Sequence, residues 1–278
     1  MKSGWTLYKF EMRQNLKSFL IWFIAISVVL ILFMLMFPSF KSADYLELIN
    51  AKINAIPRGL GTAFGLSADT MGASFQNVYF WFSYMLQFFV IAIVIYAINL
   101  GSNIISKEHE DKHIDYLATK PISKSEIVIA KYKVLLCYIL LFSVALFIVG
   151  YVSLTVFNAD KVSYLSEMLR LYAKVFLEYL VFGTLAFTLA AISKRTSKST
   201  LIVVSVFFAS YLAGIAAELL PRLEKLKYLS PYFMFQTETA GVGFSKTDWW
   251  YMAALIGLSM AMLIIAVWRY SNKDLSLG

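Results

Sequence analysis

Six stretches of this chain run for about twenty residues or more almost without charge, at 19–37, 78–99, 127–156, 171–192, 200–220 and 249–268. A helix crosses the hydrocarbon core of a bilayer with about 20 mostly apolar residues, so each stretch is long enough to span. Only 15% of the residues are charged, where a soluble domain averages about 25%. The chain therefore reads as an all-α integral membrane protein, a single transmembrane domain over 1–278 with six helical spans. The third stretch exceeds what a span requires and is expected to project beyond the membrane. The apolar run near the N-terminus is too long for a signal peptide and has no small-residue cleavage site. It reads as an uncleaved first span.

A net charge of +8 would suggest nucleic acid in a soluble protein. In a membrane protein, excess Lys and Arg mark cytoplasmic loops and contacts with anionic lipid, so membrane lipids rather than nucleic acid are the expected partner. With the N-terminus inside, fifteen Lys and Arg fall on the inner side and ten on the outer. The short basic loop 193–199, SKRTSKS, carries the contrast best. Both termini are therefore expected in the cytoplasm, in a multi-pass protein of a bacterial cell membrane. The single cysteine, Cys137, lies in an apolar run and excludes an intrachain disulfide.

Before the first span, Trp5, Tyr8 and Met12 recur at helical spacing with Lys9, Arg13 and Lys17 on another face. This fits an N-terminal helix lying in the inner interface, with a plain basic flank to the first span as the alternative. The outer segment 38–77 suits an amphipathic helix through Tyr45, Leu48, Ile49, Ile53 and Ile56, closed by Pro57. Its Gly59, Gly61 and Gly65, and later Gly241-Val242-Gly243, read as turns. The chain contains no G-x-x-x-x-G-K-[ST] and no Rossmann fingerprint, so no nucleotide site is expected here. In the last outer segment, 221–248, Tyr228, Tyr232, Phe233 and Phe235 are expected to anchor at headgroup level, with a re-entrant lid as the alternative.

The most charged piece lies between spans two and three: ISKEHEDKHIDYLATKPISKSEIVIAKYK, residues 105–133. Ile114, Tyr116 and Leu117 have helical spacing, and Pro121 stops the run. A short amphipathic helix on the cytoplasmic face, serving as a docking surface for another protein, is expected. Its His109-Glu110-Asp111-Lys112-His113 also matches H-E-x-x-H, in which two His one turn apart share a zinc ion and the Glu activates water. These are the only two His of the chain, and no second helical motif offers a carboxylate ligand. A solvated, charged helix is the preferred reading and a zinc-dependent membrane protease its rival. Lys174 and Glu178 stand one turn apart near the outer end of span four, and Glu218 near the outer end of span five. Intramembrane charge is costly and usually paired or functional, so a polar Lys174–Glu178 pair facing protein or water is expected. Spans one to three carry no charge in their middles, which leaves ion-gradient coupling unsupported.

The stretch from Glu108 to Lys124 resembles the segment between spans two and three of ABC-2 type permeases, the membrane subunits of a class of ABC transporters. Glu108, Ile114, Asp115, Leu117, Pro121, Ile122, Ser123, Lys124 and, further on, Lys131 match that family's pattern; Lys112-His113 stands where the family has Gly-Thr, and Ala118 where it has a second Leu. Phe10-Glu11 is similar to the family's leader, Leu229-Ser230-Pro231-Tyr232 to its L-S-P-[FY] stretch, and Arg269 with Asp274-Leu275 to its closing R-D-[LI]. The resemblance implies a cytoplasmic coupling helix that docks on a separate ABC ATPase, two copies per complex. ATP and Mg would be bound by that partner, and this chain would hold no cofactor and perform no catalysis. Ile114, Tyr116 and Leu117 would be the apolar knobs, Glu108, Asp111, Asp115 and Lys124 the charged rim, and Pro121 the stop. A second permease copy or a paralogue would complete the path. The expected function is export of an amphipathic drug, antimicrobial peptide or lipid-like molecule; an ATP-coupled role in membrane assembly or sensing is the alternative.

Overall fold

Inside lipid a backbone must satisfy its own hydrogen bonds, and a helix does so within a single segment. In the computed structural model, which describes residues 2–40, 76–110, 123–159, 161–193, 196–232 and 244–272, each apolar run lies within one long helix. These are α1 (Lys2–Phe40), α2 (Val78–Glu110), α3 (Lys124–Phe157), α4 (Leu165–Ile192), α5 (Thr196–Leu219) and α6 (Lys246–Ser271). All six are long and apolar enough to cross a membrane, and no strand occurs among the described residues. A 3-10 helix, Pro221–Leu229, joins α5 towards α6.

The helices outrun the apolar stretches, most of all α1. Its 39 residues extend about 58 Å, nearly twice the ~30 Å hydrocarbon thickness. The amphipathic stretch expected as a separate interfacial helix forms the first turns of α1, continuous with the span. Its inward face includes Tyr8 and Met12, which pack partly buried against the core. Leu7, Glu11 and Asn15, each four residues apart, are buried, while Trp5 is exposed and stacks on Tyr8 at 5.2 Å.

The centre of the bundle is α2 and α4. Of their most apolar windows 67% and 78% is buried, against 22% for α1 and α5 and 17% for α6, so the last three present most of their surface outward. Close approach explains the choice. A Cβ on Gly101 would lie 2.3 Å from the carbonyl oxygen of Gly183, so the two backbones meet where neither helix has a side chain. Small residues that let helices touch are the usual packing device within lipid, where no hydrophobic force drives helices together. Tyr96, Phe142, Phe19 and Tyr138 form an aromatic cluster that seats α1 against α2 and α3, with Tyr96 and Phe142 stacked at 4.7 Å.

At one end of the bundle, Asn77 donates to the Tyr164 hydroxyl at 3.1 Å, Tyr79 stacks on Tyr164, and Tyr251 donates to the Tyr228 carbonyl at 3.1 Å. At the other, the Ser125 and Ser271 hydroxyls lie 2.9 Å apart, which brings the start of α3 beside the finish of α6. The outer segment 41–75 and its expected amphipathic helix lie outside the described residues, as do Gly241-Val242-Gly243, Phe233 and Phe235.

Candidate coupling site

The segment between α2 and α3 is preceded by α2 and followed by the capped start of α3. α2 continues to Glu110, which places Glu108 in its last turn. α3 opens at Lys124 behind an N-cap, Ser123. The Ser123 hydroxyl accepts from the Glu126 amide at 3.2 Å, and the Glu126 carboxylate accepts from the Ser123 amide at 3.3 Å. This reciprocal box satisfies amides that a helix start leaves unpaired. The Pro-Ile-Ser-Lys run thus ends as a helix start: Ser123 caps and Lys124 is the first helical residue. Asp111, Ile114, Asp115, Tyr116, Leu117 and Pro121 lie in the twelve residues 111–122, outside the described part of the chain.

Two turns into α3 stands the feature that holds this end together. Lys131 is fully buried, its ammonium 3.0 Å from the Glu11 carboxylate of α1, itself 4% exposed. The same ammonium donates at 2.6 Å to the Ile104 carbonyl of α2. Asn15, one turn past Glu11, donates to the Glu11 carbonyl at 2.9 Å and reaches its carboxylate at 3.4 Å. One cation therefore joins three helices. Breaking such a pair from one side costs about 3–5 kcal/mol, because the other charge stays buried without its partner. The flanks are tied by Leu7 packed on Ile127 and Ala130, and by the Tyr138 hydroxyl donating to the Met12 carbonyl. Deeper in, the Tyr132 hydroxyl meets that of Thr184 at 3.0 Å, which links α3 to α4.

A second polar group lies within α4. The helix begins at Leu165, six residues before the expected span. Glu178 therefore sits thirteen residues from one end of the helix and fourteen from the other. Both Lys174 and Glu178 are buried inside the protein. The Lys174 ammonium lies over the Phe244 ring, 5.6 Å from its centre, and one Glu178 carboxylate oxygen has no hydrogen-bond partner among the described residues. Glu218, by contrast, is exposed. Tyr232 is buried and packs edge-on against Tyr211 at 4.9 Å. Burial, reinforced by its neighbours Tyr211, Glu178 and Tyr84, pushes the Tyr232 phenol well above its ordinary range. Tyr232 is therefore a packing residue of the bundle and not the headgroup anchor its loop position suggested. Tyr228 does remain half exposed.

Of the H-E-D-K-H run only His109 and Glu110 fall among the described residues, at the close of α2. Among the described residues no three His, Cys, Asp or Glu side chains are grouped to hold a metal. What the sequence reading missed is the role of Glu11 and Lys131 as partners and the capping box of Ser123 with Glu126. Both left a signal. Glu11 is the one acid in the first 43 residues, set among Lys2, Lys9, Arg13 and Lys17, and Ser123-x-x-Glu126 directly precedes an apolar run.

The arrangement is that of a membrane bundle whose helices flank a charged segment and are bolted together just inside it. The sequence profile of the ABC-2 family transporter proteins matches residues 5–275, a range that takes in nearly all of the six helices. No curated protein matches the chain at a significant level. By a match that covers almost its whole length, this chain belongs to the ABC-2 family transporter proteins.

Proposed function

We propose that the chain is the permease subunit of an ATP-driven ABC-2 exporter. Segment 111–122 docks on a separate ABC ATPase, and the motion of that ATPase is passed into the six spans. The observation that carries this reading is the family match over 5–275. It is supported by the absence of a P-loop pattern from the sequence, which leaves ATP and Mg to the partner. The capped start of α3 directly after 111–122 is consistent with it. Glu108, Asp111, Asp115 and Lys124 supply a charged rim around the apolar Ile114, Tyr116 and Leu117, the composition of a specific protein interface. Two ATPases and a second permease, a copy of this chain or a paralogue, complete the complex in the cell membrane with both termini cytoplasmic. The cargo class is an amphipathic compound.

The test is co-purification from the native membrane followed by reconstitution. An ABC ATPase should accompany the chain, and its hydrolysis should be stimulated by the permease. Leu117→Asp should abolish the stimulation while the protein still inserts. Normal stimulation in that variant would remove the docking role. Vesicle transport by the reconstituted complex separates export from a role in assembly or sensing.

A further inference from the structure

We infer that the buried Glu11–Lys131 pair, anchored on the Ile104 carbonyl and braced by Asn15, is the joint that makes α1, α2 and α3 respond as one body to a push at 111–122. The inference rests on the docking reading above and deepens it by naming the residues that position the spans. Ile104 is six residues before the end of α2, and Lys131 is seven after the start of α3. At 1.5 Å per residue both lie about 10 Å inside their helix ends. A force applied to the connecting segment would otherwise divide, tilting α2 and α3 separately. The Lys131 ammonium closes the loop by binding the backbone of α2 at 2.6 Å and the carboxylate of α1 at 3.0 Å.

Three observations argue for a joint and against simple packing. First, beyond the neutral hydrogen bonds that Tyr138 and Trp81 give its carbonyls, α1 is seated mainly by apolar and aromatic contacts, which slide more readily than a charge-assisted bond with fixed geometry. Second, the partner on α2 is a main-chain oxygen, so the joint reports the position of the helix itself. Third, Asn15 holds both the carbonyl and the carboxylate of Glu11, which fixes the rotamer of the acid. Packing alone needs no such brace, and apolar residues of similar volume fill buried ion-pair sites at little or no loss of stability.

That last property supplies the test. The double variant Glu11→Leu with Lys131→Met removes both charges and keeps the volume. Full-length chain is co-expressed with the ATPase that accompanies the wild type. The expected result is a folded permease that still recruits the ATPase at wild-type level, with permease-dependent hydrolysis reduced ~10-fold, the size of an ordinary coupling between sites. Amide exchange over residues 4–18 should rise in the same variant without the ATPase present. Wild-type stimulation in the double variant would overturn the inference, and so would loss of ATPase recruitment, which would make the pair part of the docking surface. Where the double variant does not fold, Asn15→Leu takes its place. It loosens only the brace and should lower stimulation by a smaller factor; stimulation equal to wild type overturns the inference. If the wild-type chain itself stimulates no ATPase, the docking reading fails. The exchange experiment then still decides whether the pair ties the three helices.

Discussion

The contact between Gly101 and Gly183 carries the heart of the bundle, and a single methyl group tests it. In Gly101→Ala the new Cβ would sit 2.3 Å from the Gly183 carbonyl oxygen, 3.2 Å from its carbon and 3.2 Å from the Phe187 nitrogen. The closest comfortable carbon–oxygen contacts between helices are about 3.3 Å, so α2 and α4 must separate by roughly 1 Å. All three obstacles are backbone, and no rotamer change relieves them. A gap of that size forfeits about a quarter to a half of the dispersion well for every flanking pair. Overpacking a tight core costs about 1–3 kcal/mol, and the better helix propensity of Ala returns at most about 1. Gly257→Ala is the matched control, because nothing lies within 4 Å of its Cβ position and it faces outward from α6. Thermal unfolding of detergent-solubilised protein should rank Gly257→Ala at or above wild type and Gly101→Ala clearly below. Equal stability of the two variants would refute the close approach of α2 and α4.

Tyr172 donates at 2.9 Å to the Leu146 carbonyl in the interior, so Tyr172→Phe should lower unfolding free energy by about 0.5–1.5 kcal/mol, read by the same assay; no loss would mean that the hydroxyl bond is not formed. Glu178 leaves a carboxylate oxygen buried without a partner among the described residues, which costs about 1–3 kcal/mol, so Glu178→Leu should raise thermal stability. Natural proteins keep such strain where function needs it, and the same variant should transport less cargo in vesicles; a drop in stability would show instead that the acid is paired. Glu110→Gln should leave ATPase stimulation near wild type and bound zinc negligible by elemental analysis. Loss of all activity together with stoichiometric zinc would favour the protease reading.

The number and order of spans were legible because bilayer thickness converts directly into run length, and every apolar stretch became one helix. Helix ends were not legible from hydropathy alone. α1 continues through Lys9, Arg13 and Lys17, since charged residues at the margin of a membrane extend a helix as readily as they end it. For the same reason α4 starts at Leu165, six residues before the expected apolar run. The pairing of Glu11 with Lys131 spans 120 positions, and no local periodicity encodes a contact at that distance. Its only trace was a lone acid in a basic leader and a lysine inside an apolar run. Tyr232 was misread because aromatic residues in a loop suit the headgroup region and the bundle interior equally well, and only the position of Tyr211 decides between them.

In the proposed mechanism, motion made by another subunit enters the membrane through the segment around Tyr116. A photo-crosslinking amino acid in place of Tyr116, in full-length chain within native membranes, tests it most directly. The expected product is a nucleotide-sensitive adduct with an ABC ATPase. Crosslinking to lipid alone, with the purified chain active in the absence of any ATPase, would contradict it.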